Sequence, residues 1–333
     1  MKFYKILFFL TLIFGTMMTI SAYSWFSMWM GLEINLLSII PLMKSNKNIY
    51  PSEAAIKYFS IQTIASSMIL LSIILSLNFA NFMYFENSIN LMLTSGLLIK
   101  MGAAPFHSWF PEVMEGMNWN NSLIILIWQK IAPMILMLNY IELNEFIYLS
   151  IIFSSMISGI LGINQISLRK ILAYSSINHI GWMLASMLFS QSLWLIYFSI
   201  YSIISLNIIL LFKMINIFNL HQLFYSLNSD KLIKFFFSLN FLSLGGLPPF
   251  LGFMPKWLTM NFLILNNFYL LALILIIFTL WTLYFYLRIT FNSLTLNSYE
   301  MITYKKFKMN KFILMFNFLS LIGLVLSTYF FLL

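Results

Sequence analysis

Gly246-Leu247-Pro248-Pro249-Phe250-Leu251-Gly252-Phe253-Met254-Pro255-Lys256-Trp257 lies inside an apolar run from about 233 to 263. That run is too long for one straight membrane helix. Its glycines and prolines cannot continue a regular helix, so it reads as two half-helices joined by an unwound stretch. Irregular backbone at membrane depth is tolerated only where protein or a water-filled cavity surrounds it. The lysine just past the break therefore faces inward.

An earlier stretch has the same character: Lys100-Met101-Gly102-Ala103-Ala104-Pro105-Phe106 also pairs a lysine with a Gly/Pro-rich break. Two more charges sit deep in apolar sequence. They are Glu33, in Trp29-Met30-Gly31-Leu32-Glu33-Ile34-Asn35, and Lys130, in Ile127-Trp128-Gln129-Lys130-Ile131. A charge at the bilayer centre costs about 3 kcal/mol on insertion scales. Four facing lipid would cost about as much as the whole stability of an ordinary domain. These groups must meet partners or water inside a helix bundle, where such charges mark ion or proton paths.

Composition agrees. The 333 residues are 61% hydrophobic and 8% charged, with a mean hydropathy of +0.91. This is a polytopic membrane protein, not a soluble domain. Cysteine is absent, which excludes disulfides and thiolate-bound clusters. No dinucleotide-binding or phosphate-binding glycine loop is present. The chain alone therefore has no means of carrying electrons. Phe, Met, Ile, Asn, Lys and Tyr are abundant, while valine occurs only at Val113 and Val325. AT-rich codons give that bias, and small AT-rich genomes are typical of organelles.

Hydropathy and turn residues predict eleven membrane helices near 3–22, 25–43, 54–77, 87–105, 120–139, 146–162, 167–188, 193–213, 233–263, 266–290 and 312–332. Lys2, Lys5 and the apolar run from Ile6 imitate a secretory signal, but more membrane helix follows, so this is expected to be the first span. Setting aside three intramembrane lysines leaves 15 of the 18 lysines and arginines. With eleven spans, all 15 fall at or near loops on one side. The opposite loops hold Glu86, Glu142 and Glu145. The positive-inside rule then places the N-terminus inside and the C-terminus outside.

The two lysine-bearing breaks predict an internal repeat within one membrane domain, 1–333. Repeat one covers about 3–139 and repeat two about 146–290, with a C-terminal helix at about 312–332. Five helices per half is odd, so the halves insert in opposite orientation, and interrupted helices at matching places point to a transport site.

Each candidate has its chemistry. Lys130 lies mid-span between Gln129 and Pro133; the proline has no N–H for the carbonyl four residues back, that of Gln129, and so frees it from the helix ladder. Glu33 and a neighbouring lysine would titrate as a unit, so moving one partner changes the proton affinity of the other. Gly31, Asn35 and Ser38 share one face of its helix, which suits close packing. Lys100 is nearer a helix end, where snorkelling competes with a cavity position. His179, in Ser175-Ser176-Ile177-Asn178-His179, is a further candidate proton carrier or a hydrogen-bonded structural histidine. His107 and His221 are expected in or near loops, and Glu112 and Glu115 to serve local capping.

The four motifs, in order, resemble the antiporter-like membrane subunits of respiratory complex I (NADH–ubiquinone oxidoreductase), and the resemblance spans essentially the whole chain. It also includes Pro105-Phe106-His107-Ser108-Trp109-Phe110-Pro111-Glu112-Val113. Lys256, where the chain 4 branch carries glutamate, and a length far short of chain 5 favour the chain 2 branch. The composition then fits an insect or other AT-rich animal mitochondrial genome. The resemblance implies an all-α, antiporter-like fold of two inverted five-helix repeats with broken helices. It assigns Glu33 and Lys100 as a glutamate–lysine pair, Lys130 as the central lysine and Lys256 as the terminal group of a proton relay.

It implies no cofactor bound by this chain; NADH, FMN, iron–sulfur clusters and ubiquinone would sit elsewhere in the complex. Structural lipids, including cardiolipin, and neighbouring membrane-arm subunits are the implied partners, with no nucleic acid. The implied location is the mitochondrial inner membrane, N-terminus on the matrix side and C-terminus in the intermembrane space. Two other readings stand beside it: a free-standing cation/proton antiporter, which the single deep carboxylate disfavours, and a structural coupling subunit without its own proton channel.

Overall fold

A computed structural model describes residues 3–44, 49–78, 86–140, 145–227, 231–295, 317 and 323. The chain divides into two compact units, Met1–Ser150 and Ile151–Leu333.

In the first unit, α1 (Phe3–Ser21) and α2 (Trp25–Met43) form a hairpin. Small residues let their backbones approach, as expected where apolar burial cannot drive helix association. A Cβ on Gly31 would lie 2.5 Å from Thr19, and one on Gly15 equally close to Asn35. The Trp29 indole N–H donates to the Ser66 carbonyl at 3.1 Å, tying α2 to α3 (Tyr50–Asn78). Then follow α4 (Glu86–Met101), α5 (Trp109–Gly116) and α6 (Trp119–Leu123). A π-helical turn, Ile124–Trp128, leads into α7 (Gln129–Tyr140).

Helix α8 (Glu145–Ile163) leads into the second unit. There α9 (Leu168–Met187) is the core: every residue from Ile171 to Met187 is buried. Around it lie α10 (Gln191–Ile215), α11 (Leu220–Leu227), α12 (Lys231–Gly245), α13 (Phe253–Leu265) and α14 (Tyr269–Thr295).

Seven helices among the described residues are long and apolar enough to cross a membrane. Helix α9 is not one of them, since its serines, Asn178 and His179 lower its hydropathy; its enclosure by protein permits that. The expected ninth span is broken, α12 ending at Gly245 and α13 starting at Phe253. The expected 87–105 span is corrected: α4 stops at Met101, and the separate helix α5 follows. Gly102, at φ +73°, ends α4. Ala103 N–H donates to Leu98 O (3.0 Å) and Gly102 N–H to Ile99 O (3.1 Å), the paired bonds of a glycine C-cap. Helix α11 was not expected from the sequence. The expected span 312–332 lies outside the described residues except for Asn317 and Gly323.

Candidate functional site

The break at Gly102 shapes the first unit's site. A Cβ there would lie 3.0 Å from Phe110, so only glycine lets the start of α5 fold back against the end of α4. Phe110 is thereby seated beneath Lys130, whose Nζ stands 5.3 Å from the ring centroid. Lys130 is 1% exposed. An ammonium facing an aromatic ring is attracted by the ring quadrupole, more strongly when water is excluded.

Lys100, 7% exposed, lies in the last turn of α4, where the helix dipole favours a cation. Gln62 donates to its carbonyl at 3.4 Å. The lysine lines a small cavity with Asn35, Tyr58, Gln62, Gln129 and Pro133. About 10 Å³ of it is open to a water centre, room for about one molecule. The Tyr58 hydroxyl donates to Gln129 Oε1 at 3.3 Å. Asn35 Oδ1 and Gln129 Nε2 are buried with no protein partner. These are polar groups of the kind a water would join.

Glu33 is half-buried on α2 and within electrostatic reach of Lys100. The two are not a contact ion pair of the kind Lys57 makes, with Glu53 at 3.2 Å and with Glu112 at 3.1 Å. Glu112 therefore pairs across to α3. His107 follows the break, its Nδ1 3.2 Å from the Pro105 carbonyl. Burial pushes its imidazole below the ordinary value, which that hydrogen bond only partly offsets.

The second unit repeats the glycine C-cap. Gly246 has φ +79°; it donates to Ser243 O (3.0 Å), and Leu247 N–H to Leu242 O (3.4 Å). Lys256, 7% exposed, reaches back from α13 to donate to Gly245 O at 2.9 Å. The unwound stretch also packs tightly, since a Cβ on Gly252 would overlap the Ser243 carbonyl. His179 is 5% exposed, its Nδ1 3.0 Å from the Tyr197 hydroxyl and its ring 5.0 Å from that of Tyr201. Asn178 donates to Thr282 Oγ1 at 3.2 Å, and Asn240 bonds Asn317.

Glu33, Lys100 and the neighbourhood of Lys130 come together in the first unit; Lys256 and His179 stand in the second. Sequence reading missed Phe110, Tyr58, Gln62 and Tyr197, which contact or surround the charges. Gln62 and Gln129, polar inside apolar spans, were the visible signal. Aromatic residues carry no such signal in a chain that is 18% aromatic. Among the described residues, no group of three or more His, Cys, Asp or Glu could hold a metal ion.

Comparison with known proteins bears on the family and the fold. Residues 22–282 match the family profile of the NADH:quinone oxidoreductase/Mrp antiporter transmembrane segment. NADH-ubiquinone oxidoreductase chain 2 of Anopheles gambiae is 47% identical over 327 residues, covering 96% of each chain. That of Locusta migratoria is 45% identical over 333 residues, covering 99% of this chain and 97% of the relative. The chain 2 resemblance read from four motifs is thus borne out. Among solved structures, a chain of respiratory complex I from Thermus thermophilus superposes with a TM-score of 0.85 at 22% identity, covering 98% of this chain and 80% of that one. A chain of the Mrp complex from Dietzia sp. gives 0.76 at 16%, covering 85% and 59%. The chain belongs to the NADH:quinone oxidoreductase/Mrp antiporter membrane family.

Proposed function

We propose that the chain is a core membrane-arm subunit of respiratory complex I that moves protons while other subunits pass electrons from NADH to ubiquinone. The observation that carries this is the pairing of buried lysines with helix breaks. Lys100 and Lys256 each sit at the carbonyl end of a half-helix closed by a positive-φ glycine, and Lys130 is buried beside a π turn. π turns and interrupted helices recur at functional sites. Glu33, Lys100, Lys130, Lys256 and His179 act as proton relay groups. A proton leaving one site changes the field at the next, so charge states alternate along the chain.

The two glycine-capped breaks support two inverted repeats, and the total of eleven helices follows the same reading. The chain works as part of a translocating enzyme and binds no redox cofactor; NADH, FMN, iron–sulfur clusters and ubiquinone belong to other subunits. Neighbouring membrane-arm subunits and phospholipids, cardiolipin among them, are its partners. It lies in the mitochondrial inner membrane, with the N-terminus on the matrix side and the C-terminus in the intermembrane space. The Mrp likeness fits a stand-alone antiporter equally in fold, but the full-length similarity to chain 2 relatives favours complex I.

The test is Lys130→Met in assembled complex, reconstituted in vesicles, with proton pumping and NADH–quinone turnover measured together. Both should fall while assembly stays intact. Persistence of both near wild type would assign Lys130 a structural role and move the proton path to other subunits.

A further inference from the structure

Where α8 ends, α11 begins and α14 closes, the second unit forms an open cavity of about 220 Å³. Its polar wall is Asn164, Gln165, His221, Arg288 and Asn292. The surrounding loops are fixed by backbone bonds: Leu168 N–H to Phe218 O (2.9 Å) and Leu220 N–H to Ile166 O (3.1 Å). Arg288 is half-buried and makes no hydrogen bond or ion pair among the described residues. None of the residues lining the cavity is acidic.

The imbalance is general in this half of the chain. From 151 to 333 the carboxylates are Asp230 and Glu300, against Arg169, Lys170, Lys213, Lys231, Lys234, Lys256, Arg288, Lys305, Lys306, Lys308 and Lys311. A half-buried guanidinium attracts an anion, and its planar fork matches phosphate oxygens. Asn164, Gln165 and Asn292 have side-chain amides that can donate to the remaining oxygens. The flanks are apolar and open: Leu161, Ile166, Phe291 and Leu294 are 42%, 60%, 57% and 50% exposed. A polar, basic cavity beside bare helix surface is shaped for a molecule with an anionic head and hydrocarbon chains. Free phosphate shares the head chemistry but leaves the apolar flank unused.

We propose that this cavity binds the phosphate group of an anionic phospholipid, with Arg288 as its charge partner and the α8 and α14 flanks taking the acyl chains. The assignment rests on the chain being membrane-embedded and is independent of the proton relay.

The test uses intact purified complex labelled with a photoactivatable phosphatidylglycerol in mixed micelles, with cross-links mapped by mass spectrometry. Label should appear on peptides bearing 161–166 or 288–292. Phosphatidylglycerol should displace it; phosphatidylcholine should not. Arg288→Gln should weaken binding about fivefold, with Arg288→Lys closer to wild type. Equal displacement by phosphatidylcholine, or unchanged labelling in Arg288→Gln, would overturn the proposal. Displacement by inorganic phosphate at the lipid's own concentration would overturn the lipid assignment. A cross-link to another subunit's peptide in place of the lipid would show that protein covers the cavity. If Arg288→Gln fails to assemble, the competition on wild-type complex decides alone.

Discussion

Lys256 Nζ donates a 2.9 Å hydrogen bond to the carbonyl of Gly245, the last residue of a helix to which the lysine does not belong. The break between α12 and α13 therefore does two things. It leaves helix-end carbonyls without intrahelical donors, and it returns the chain so that a cation meets one of them. Lys100 instead lies within the last turn of its own helix. In both units a lysine stands at the end of a half-helix, and in the second its ammonium is bound to a carbonyl at the helix's negative end. There a modest change in backbone position alters how firmly the charge is held.

Gly246→Ala tests this coupling. Its Cβ would lie 2.9 Å from Lys256 Cδ and 3.0 Å from Nζ. The positive φ adds about 1–2 kcal/mol of strain for a residue with a Cβ. The expected outcome is lower thermal stability together with reduced proton pumping in the assembled complex. Gly245→Ala is the control, because its Cβ meets Tyr286 at an ordinary 3.5 Å. Equal loss in both variants would detach pumping from the position of Lys256.

Tyr58 and Gln129 join α3 to the helix that carries Lys130. Tyr58→Phe leaves Gln129 Oε1 buried without its donor, a loss of about 1–3 kcal/mol. Gln129→Leu removes the acceptor and costs a comparable amount. The double variant should lose less than the sum, by a coupling of about 1 kcal/mol. Thermal unfolding of the four complexes measures it; strict additivity would show that the 3.3 Å contact contributes nothing.

Much of this was legible in the sequence because membrane burial makes charge and glycine conspicuous. Lys100, Lys130 and Lys256 are buried as expected, and the break around Gly246–Pro255 is where prolines and glycines crowd. The contact partners were not legible. Phe110 is one of 35 phenylalanines, and only the turn at Gly102 sets it against Lys130. Helix α5 escaped notice because its eight residues are too few for a spanning signal, and their role depends on folding back after the break. The Glu33–Lys100 pair came from the resemblance alone, because spacing along the chain does not show which lysine a mid-helix glutamate will face; the two need only share a low-dielectric space to interact.

His107, just past the break that ends α4, gives a pH-dependent prediction. Its folded value lies below the ordinary 6.5, with burial the larger cause. The unfolded chain therefore takes up the proton first as pH falls. The contribution to stability is full above about 6.5 and is lost as pH drops through the folded value. His107→Gln should remove this slope, so that wild type loses thermal stability relative to the variant below about pH 6.5 and not above it. Parallel melting curves across that window would show the imidazole to be unburied in solution. The Lys57 pairs should matter less, because both partners are about half exposed; Glu112→Gln is expected to cost under about 1 kcal/mol.

Tyr197 separates a relay role for His179 from a structural one. The two are buried and joined at 3.0 Å through Nδ1, and a hydrogen bond at one ring nitrogen fixes what the other can offer. Tyr197→Phe keeps the ring and its packing on His179 but removes the hydroxyl, at about 1 kcal/mol of stability. If His179 passes protons, the variant should pump fewer protons per NADH oxidised and show a changed pH profile of turnover, with melting little altered. If His179 only holds helices together, stability alone should move, and the pumping ratio and pH profile should overlay those of wild type. Measuring both in the same reconstituted vesicles settles the role, because a packing defect lowers the amount of active complex without changing the ratio each surviving complex delivers.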